Sequence, residues 1–399
     1  MHFDDLKNRT EQSMLRSYSR YPLAIKTGAG SRLWDFEGRE YIDLLGGIAV
    51  AALGHSNPEI AEVVCKQAKK LLHVSNLFYQ EEQILLAEKL VSTSHCTKTF
   101  FCNSGAEANE AAIKLARRYM RKVKKRDSYE IITLDHCFHG RTLATIAATG
   151  QARFQDGFLP MPEGFIQTQW GSLEALEKNI NGKTAAVMLE MVQGEGGIRP
   201  VTRAYAQGVQ DLCRKHDILL ILDEIQTGLC RSGKWWSFQL FDLQPDIFTT
   251  AKALANGIPM GAMLTTDEIA QGFDHGSHGS TFGGNALASA AALKTLEIME
   301  RDRLDQRAAE LGAWAVQRFN SIGKKFSGTI REVRGVGLLL GIDLAFPGRP
   351  VWEKLLDRGF IINLTQETVL RLLPALNIDQ ADLEYFAQTL EELLGSAGK

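Results

Sequence analysis

The sequence predicts an α/β protein, a mostly parallel sheet flanked by helices and followed by a smaller α+β unit. Three observations carry this. The run Ile218 to Leu222 is apolar on both faces and stops abruptly at Asp223 and Glu224, the pattern of a strand buried inside a parallel sheet. A second short apolar run, Ile247 to Phe248, leads through Thr249 and Thr250 to Lys252. Past the charged stretch Arg301 to Arg307, strand and helix patterns mix without strict alternation, as in α+β folds.

Ligands in open α/β sheets bind beyond the carboxyl ends of the strands, and Asp223 and Lys252 each stand where an apolar run ends. An acid and an amine so placed suit a pyridoxal phosphate site. The lysine forms a Schiff base with the cofactor aldehyde, and the carboxylate keeps the pyridine nitrogen protonated so that the ring can draw in charge. Singly, Asp223 also reads as a turn cap and Lys252 as a surface lysine. The rest of the chain has to decide.

At 399 residues the chain exceeds the size at which one core stops growing, so two domains are expected. Its net charge of −2 leaves no basic excess for phosphate-backbone contacts, which argues against nucleic acid as a partner. The amino terminus MHFDDLKNRT lacks the apolar core of a signal peptide, and no apolar run reaches the length of a membrane span. The six cysteines show no metal-ligand spacing; reduced thiols in a cytoplasmic enzyme without a metal are expected.

In chain order, residues 1 to about 20 read as a polar arm or short helix. Gly28, Gly30 and Gly38 punctuate two short strands around Ile25 and Leu33–Phe36, a meander. His55 sits in a Gly-rich turn and reads as a side chain bonding nearby backbone. Asn57-Pro58 is a helix start, with Asn as N-cap and Pro in the first turn. The strand Lys98 to Cys102 runs into Ser104-Gly-Ala-Glu107 and a long helix. Ser104 and Glu107 are spaced as a capping box, while Gly105 and the free amides of the helix start equally suit a phosphate.

The strand Ile131 to Leu134 leads to Phe138 and Arg141; the aromatic can stack on a flat ring but by itself reads as ordinary core, and the cation can hold a carboxylate. Thr184 to Leu189 closes on Glu190 and the loop Gln193-Gly-Glu195-Gly-Gly197; Met260 to Leu264 reads as a return strand. The hydroxyl-rich loop around Thr281 reads either as a phosphate donor or as a flexible connection. Beyond the boundary come a helix through Phe319, strands at Ile330–Val333, Gly337–Leu344, Phe360–Leu364 and Val369–Leu373, and a last helix from Asp379 to Leu394. Arg371 lies inside an apolar run, where a cation needs an anion, structural or bound.

The order SGAEANEAAIKLAR, FHGRT, EMVQGEGG, LDEIQTG, TTAKALANG, GSHGSTFGGN and VLRLLPAL resembles the class III (ornithine-type) pyridoxal-phosphate aminotransferases, from Gly30 to the last helix. The resemblance implies fold type I: a seven-stranded, mostly parallel sheet in a large domain over 46–290, a small α+β domain over 291–399, and residues 1–45 as an arm and meander packing with the latter. It implies that Lys252 carries the cofactor and shuttles the proton, that Asp223 pairs with the pyridine nitrogen, and that Gln226 bonds the ring hydroxyl side. Phe138 is expected to stack on the ring, Gly105 and Ala106 to cradle the phosphate, and Thr281 to reach the phosphate of a neighbouring subunit, making a homodimer with shared sites part of the mechanism. Arg371 would take the α-carboxylate of 2-oxoglutarate or glutamate. Glu195 would mask that arginine while the ω-amino donor is bound, Arg141 would hold the donor's distal carboxylate, and Glu190 would support the site.

The implied reaction moves the terminal amino group of N2-acetylornithine to 2-oxoglutarate, with succinylated donors as an extension. Ornithine or 4-aminobutyrate transamination is the alternative within the family, and a non-catalytic cofactor-binding module the alternative outside it. Two departures touch loop shape: Met191 stands where the family has Pro, and Leu229-Cys230 precedes Arg231 where it has a Gly.

Overall fold

The computed structural model describes residues 2–396. Its main sheet has seven strands, in the order Lys98–Cys102, Gly261–Thr265, Ile247–Thr250, Leu219–Asp223, Thr184–Leu189, Glu130–Leu134 and Phe165–Thr168. The last five of these run parallel to one another, and Gly261–Thr265 alone is antiparallel to both its neighbours. The three strands nearest the middle are buried at every position. Side chains alternate between the faces: Leu220 and Leu222 join one apolar cluster, Leu219 and Ile221 another, as the two-residue strand period requires. This explains why Ile218 to Leu222 carries no polar residue. Both of its faces are covered.

The helix Gly105–Lys122 covers one face. Ala111, Ala112, Leu115 and Tyr119 are buried against the sheet, Ser104 accepts from the amide of Glu107 as N-cap, and Arg121 and Lys122 occupy the last turn, where cations suit the negative end of the helix dipole. The expected capping box is only half formed: Ser104 caps Glu107, but the Glu107 carboxylate accepts from the amide of Asn103, one residue before the N-cap, at 2.8 Å. Asn57 caps the helix Pro58–Lys70 as its sequence predicts.

The carboxy-terminal part holds a second sheet, Ile330–Val336, Leu339–Leu344, Val369–Leu372 and Asn363–Thr365, all antiparallel. Arg371 lies in register with Gly341 on one side and Asn363 on the other. A third sheet joins the chain's two ends: the meander Ile25–Ala29, Arg32–Asp35 and Glu40–Asp43 pairs through its last strand, in parallel, with Phe360–Ile361.

The structure departs from the sequence reading in places. The single strand expected over 360–364 is two, Phe360–Ile361 and Asn363–Thr365, which belong to different sheets. The strand Glu40–Asp43 was not anticipated, since its buried residues Tyr41, Ile42 and Asp43 lack alternation. The His55 ring bonds a carboxylate, with Nε2 2.6 Å from Asp43 Oδ2, rather than backbone. No helix among the described residues is long and apolar enough to cross a membrane.

Candidate active site

The parallel strands end on one edge of the sheet, and the loops that follow them close around a cavity of about 370 Å³. Lys252, Asp223, Gln226, Gly105, Ala106, Phe138, Arg141, Glu190 and Glu195 all line it. These come from five separate stretches of sequence, which parallel topology brings to a common edge. Two predicted residues do not line it. Arg371 is buried behind Glu195 and bonded to it, and Thr281 is exposed on the surface of the chain.

Asp223 closes its strand with its carboxylate fully engaged. Oδ1 accepts the amide of Ile225 at 3.0 Å. Oδ2 is 2.8 Å from both Asn109 Nδ2 and His139 Nδ1. A buried carboxylate needs hydrogen-bond donors around it, and here three meet its two oxygens. Burial alone would lower the pKa of His139, but Cys137 and Asp223 beside it hold it well above the ordinary histidine value.

Lys252 follows the strand Ile247–Thr250 and stands in the left-handed backbone region at φ 46°. Such a conformation at a non-glycine residue is strained and concentrates at functional positions. The residue is half-buried and lines the cavity; loss of water pushes its amine below the usual lysine value, with Arg371 adding to the push while Glu195, Asp223 and Glu190 pull against it. A buried amine tuned downward is a better nucleophile and base near neutral pH.

Gln226 sits one turn past Asp223, and its Oε1 is buried with no hydrogen-bond partner. Gly194 makes room for it, because a Cβ there would lie 1.9 Å from that same atom. Gly105 is likewise required: a Cβ would strike Ile225 at 2.8 Å. Glu190 ties two loops together, accepting the amides of Phe138 at 3.1 Å and Gly194 at 3.4 Å. Burial, reinforced by Asp223, raises its pKa to about 7 despite His139 nearby.

Glu195 lies between the short strands Val192–Gln193 and Arg199–Pro200. Its Oε1 accepts from Arg371 Nη1 at 2.6 Å, and Arg371 Nε donates to Asn363 Oδ1 at 3.0 Å. Burial would raise the Glu195 pKa, but Arg371 outweighs it, with help from Lys252 and Arg153, and holds it below the usual carboxylate range. The Glu195 backbone carbonyl is held by Gln366 Nε2 at 2.7 Å and Thr365 Oγ1 at 3.1 Å. Arg141 is exposed, its guanidinium 4.1 Å from the ring centre of Phe154. Leu229 and Cys230, the departure noted in the sequence, both adopt left-handed backbone, with φ of 54° and 69°, where a glycine would be free of strain.

Sequence reasoning missed Asn109, His139, Phe154 and Asn363. His139 and Asn109 lie within the very motifs that carry Phe138 and Gly105, but only the fold shows that both face Asp223.

An acid and an amine at the ends of parallel strands, a glycine-opened helix start and a masked arginine define an aminotransferase site of fold type I. The chain belongs to the class III aminotransferases: the profile of that family, aminotransferase class-III, matches residues 13–394. It is 44% identical over 95% of both chains to the acetylornithine aminotransferase of Methanocaldococcus jannaschii. It is 40% identical over 99% of both chains to that of Methanothermobacter thermautotrophicus. Among solved structures it is similar to an ornithine aminotransferase from Toxoplasma gondii with pyridoxal phosphate at partial occupancy in its active site. That match has a TM-score of 0.94 and 30% identity, covering 98% of this chain and 94% of the other.

Proposed function

We propose that this chain is an acetylornithine aminotransferase that binds pyridoxal phosphate at Lys252 and passes the terminal amino group of N2-acetylornithine to 2-oxoglutarate. The observation that carries the reading is the convergence of Lys252, Asp223 and the unpartnered Gln226 Oε1 on one cavity, in a chain so similar to curated acetylornithine aminotransferases. The residues present fit the cofactor. Lys252 offers the amine, Asp223 an anion for a ring nitrogen, Gln226 a polar atom for the ring's oxygen side, Phe138 an aromatic face, and the Gly105 and Ala106 amides a place for phosphate.

Bound there, pyridoxal phosphate supplies an electrophilic aldehyde and a ring that takes up the charge left when a proton leaves the carbon bearing nitrogen. The chain's own part is to hold and move protons and to sort substrates. Asp223 would hold a proton at the ring nitrogen, its carboxylate fixed in place by Asn109, His139 and the amide of Ile225. The Lys252 amine takes the proton from the substrate carbon and returns it one position away. Arg371 takes the α-carboxylate of the acceptor once Glu195 lets it go; with Glu195 in place, the guanidinium is neutralised and the pocket favours a donor presenting its distal amine. Arg141 receives the donor's carboxylate at the mouth. Two half-reactions through one site give ping-pong kinetics.

The reading includes a homodimer. Leu77, Phe78 and Tyr79 are 86%, 63% and 100% exposed, and Phe282 next to Thr281 is 58% exposed, a patch that calls for cover. Asn76 holds this patch to the Thr281 loop through the carbonyls of Ser280 and Gly283, and Asn103 at the cavity bonds Ser280 Oγ at 3.1 Å. A second copy over the patch would carry Thr281 to its own cavity. A cytoplasmic location fits the cysteines, all free and only Cys65 exposed.

The test is a single-turnover panel of acetylornithine, succinylornithine, free ornithine and 4-aminobutyrate, read by the loss of the cofactor's aldehyde colour. Acetylornithine is expected to convert fastest. Equal conversion by free ornithine would overturn the donor assignment and leave the family standing.

A further inference from the structure

Asn109 is fully buried in the second turn of the helix that begins at Gly105. Its side chain touches three groups. Nδ2 donates to Asp223 Oδ2 at 2.8 Å and to the His139 carbonyl at 2.7 Å, and Oδ1 lies 2.7 Å from Thr249 Oγ1. A charged carboxylate and a carbonyl are acceptors only, so the end facing them has to be the NH2. The other end is then an acceptor, and the Thr249 hydroxyl must donate to it. Every proton in this chain of bonds has one possible place. Thr249 is itself fully buried, in the strand that leads to Lys252.

We propose that Asn109, with its amide locked by Thr249, is a positioning residue that fixes the rotamer of Asp223 for pairing with the cofactor. This rests on the proposed function. The geometry favours it over a merely structural role in one respect: the relay links the two elements that carry the site's acid and its amine. The Asp223 strand and the Lys252 strand lie side by side, and Asn109 bonds one side chain from each. Asp223 is faced by His139 from its loop, Glu190 from the next strand end and Lys252 across the cavity. Of the donors to Oδ2, His139 can change its protonation. Asn109 cannot, so its donor is present whichever form His139 takes.

The experiment uses the holoprotein and two readouts besides activity: the pH titration of the cofactor's visible absorption, and the rate at which cofactor is lost on dilution. Thr249→Val keeps the shape of a strand residue but removes the donor. Thr249→Ser restores it. Asn109→Asp puts a second carboxylate in contact with Asp223, and two such groups share a proton instead of both ionising. Thr249→Val is expected to weaken cofactor retention about tenfold, the loss of one hydrogen bond in a charged network, and Thr249→Ser to return it to the parent value. Asn109→Asp is expected to move the titration midpoint by about one pH unit or more. Borohydride labelling of Lys252 in the unaltered protein separates the two levels of the argument. Label at Lys252, with folded Thr249→Val and Asn109→Asp proteins matching the parent in both readouts, overturns this inference alone. No label in the parent overturns the cofactor reading and this inference with it.

Discussion

Replacing Glu195 by Gln tests the masked arginine. In the resting protein the Arg371 side chain is 2% exposed and has two anchors, Glu195 Oε1 at 2.6 Å and Asn363 Oδ1 at 3.0 Å. An incoming carboxylate has to displace the first. A hydrogen bond to a charged partner contributes about 1.5–3 kcal/mol. Glu195 is 25% exposed, so water screens part of this and the lower end applies. About 1.4 kcal/mol is tenfold in affinity. Glu195→Gln should therefore lower KM for 2-oxoglutarate about tenfold, and let glutamate and other α-amino acids convert the cofactor more readily than they do in the parent. The assay is the pair of half-reactions measured separately, glutamate with the aldehyde form and 2-oxoglutarate with the amine form. Stability should move the other way. The folded-state pKa of Glu195 is held down, so its contribution is present above the ordinary carboxylate range and is lost as pH falls through the lowered value; the Gln variant should lose stability at neutral pH and match the parent in acid. An unchanged KM for 2-oxoglutarate together with an unchanged glutamate half-reaction would refute the mask.

Three further outcomes follow from the same geometry. Glu190, raised to about 7, binds its proton more tightly folded than unfolded, so its contribution is full below about pH 4.5 and is lost as pH rises through 7. It should subtract about 3 kcal/mol from stability across that window, and denaturant melts at pH 5 and pH 8 should show the difference vanish in Glu190→Gln. The Lys252 amine is pushed below its ordinary value, so the unfolded chain binds more protons and cofactor-free protein should gain stability as pH rises toward the ordinary lysine value. Lys252→Met should be more stable than the cofactor-free parent at pH 7 and lack that rise, read by thermal melts. Leu77→Asp with Tyr79→Asp, at side chains exposed in a single chain, should give monomers in sedimentation and weaken cofactor binding; dimers with full affinity would remove this patch from the interface.

Much of the site was legible in the sequence because parallel sheets announce themselves. A strand covered on both faces must be apolar throughout, so Leu219–Asp223 stands out, and the residue at its carboxyl end is pointed at the binding edge by topology alone. Lys252 and Glu190 follow from the same rule, each within two residues of a strand's end. The helix caps at Asn57 and Ser104 were readable because capping is local chemistry. What was hidden depends on distant partners. Strand Glu40–Asp43 pairs with its neighbour Arg32–Asp35 on one side and with Phe360–Ile361 from the far end of the chain on the other, and no local pattern records the second pairing. The break between Ile361 and Asn363 is invisible for the same reason: an unbroken apolar run serves two sheets. Asn109 is a polar residue fully buried in a helix, and only the position of Asp223 against that helix shows why.

The central claim is that the amine of Lys252 holds the cofactor beside Asp223. Saturating the protein with pyridoxal phosphate, reducing it with borohydride and mapping the modified peptide tests this most directly. The account predicts one phosphopyridoxyl group per chain, on Lys252, and none on Lys252→Met; a label on any other lysine, or none at saturation, would contradict it.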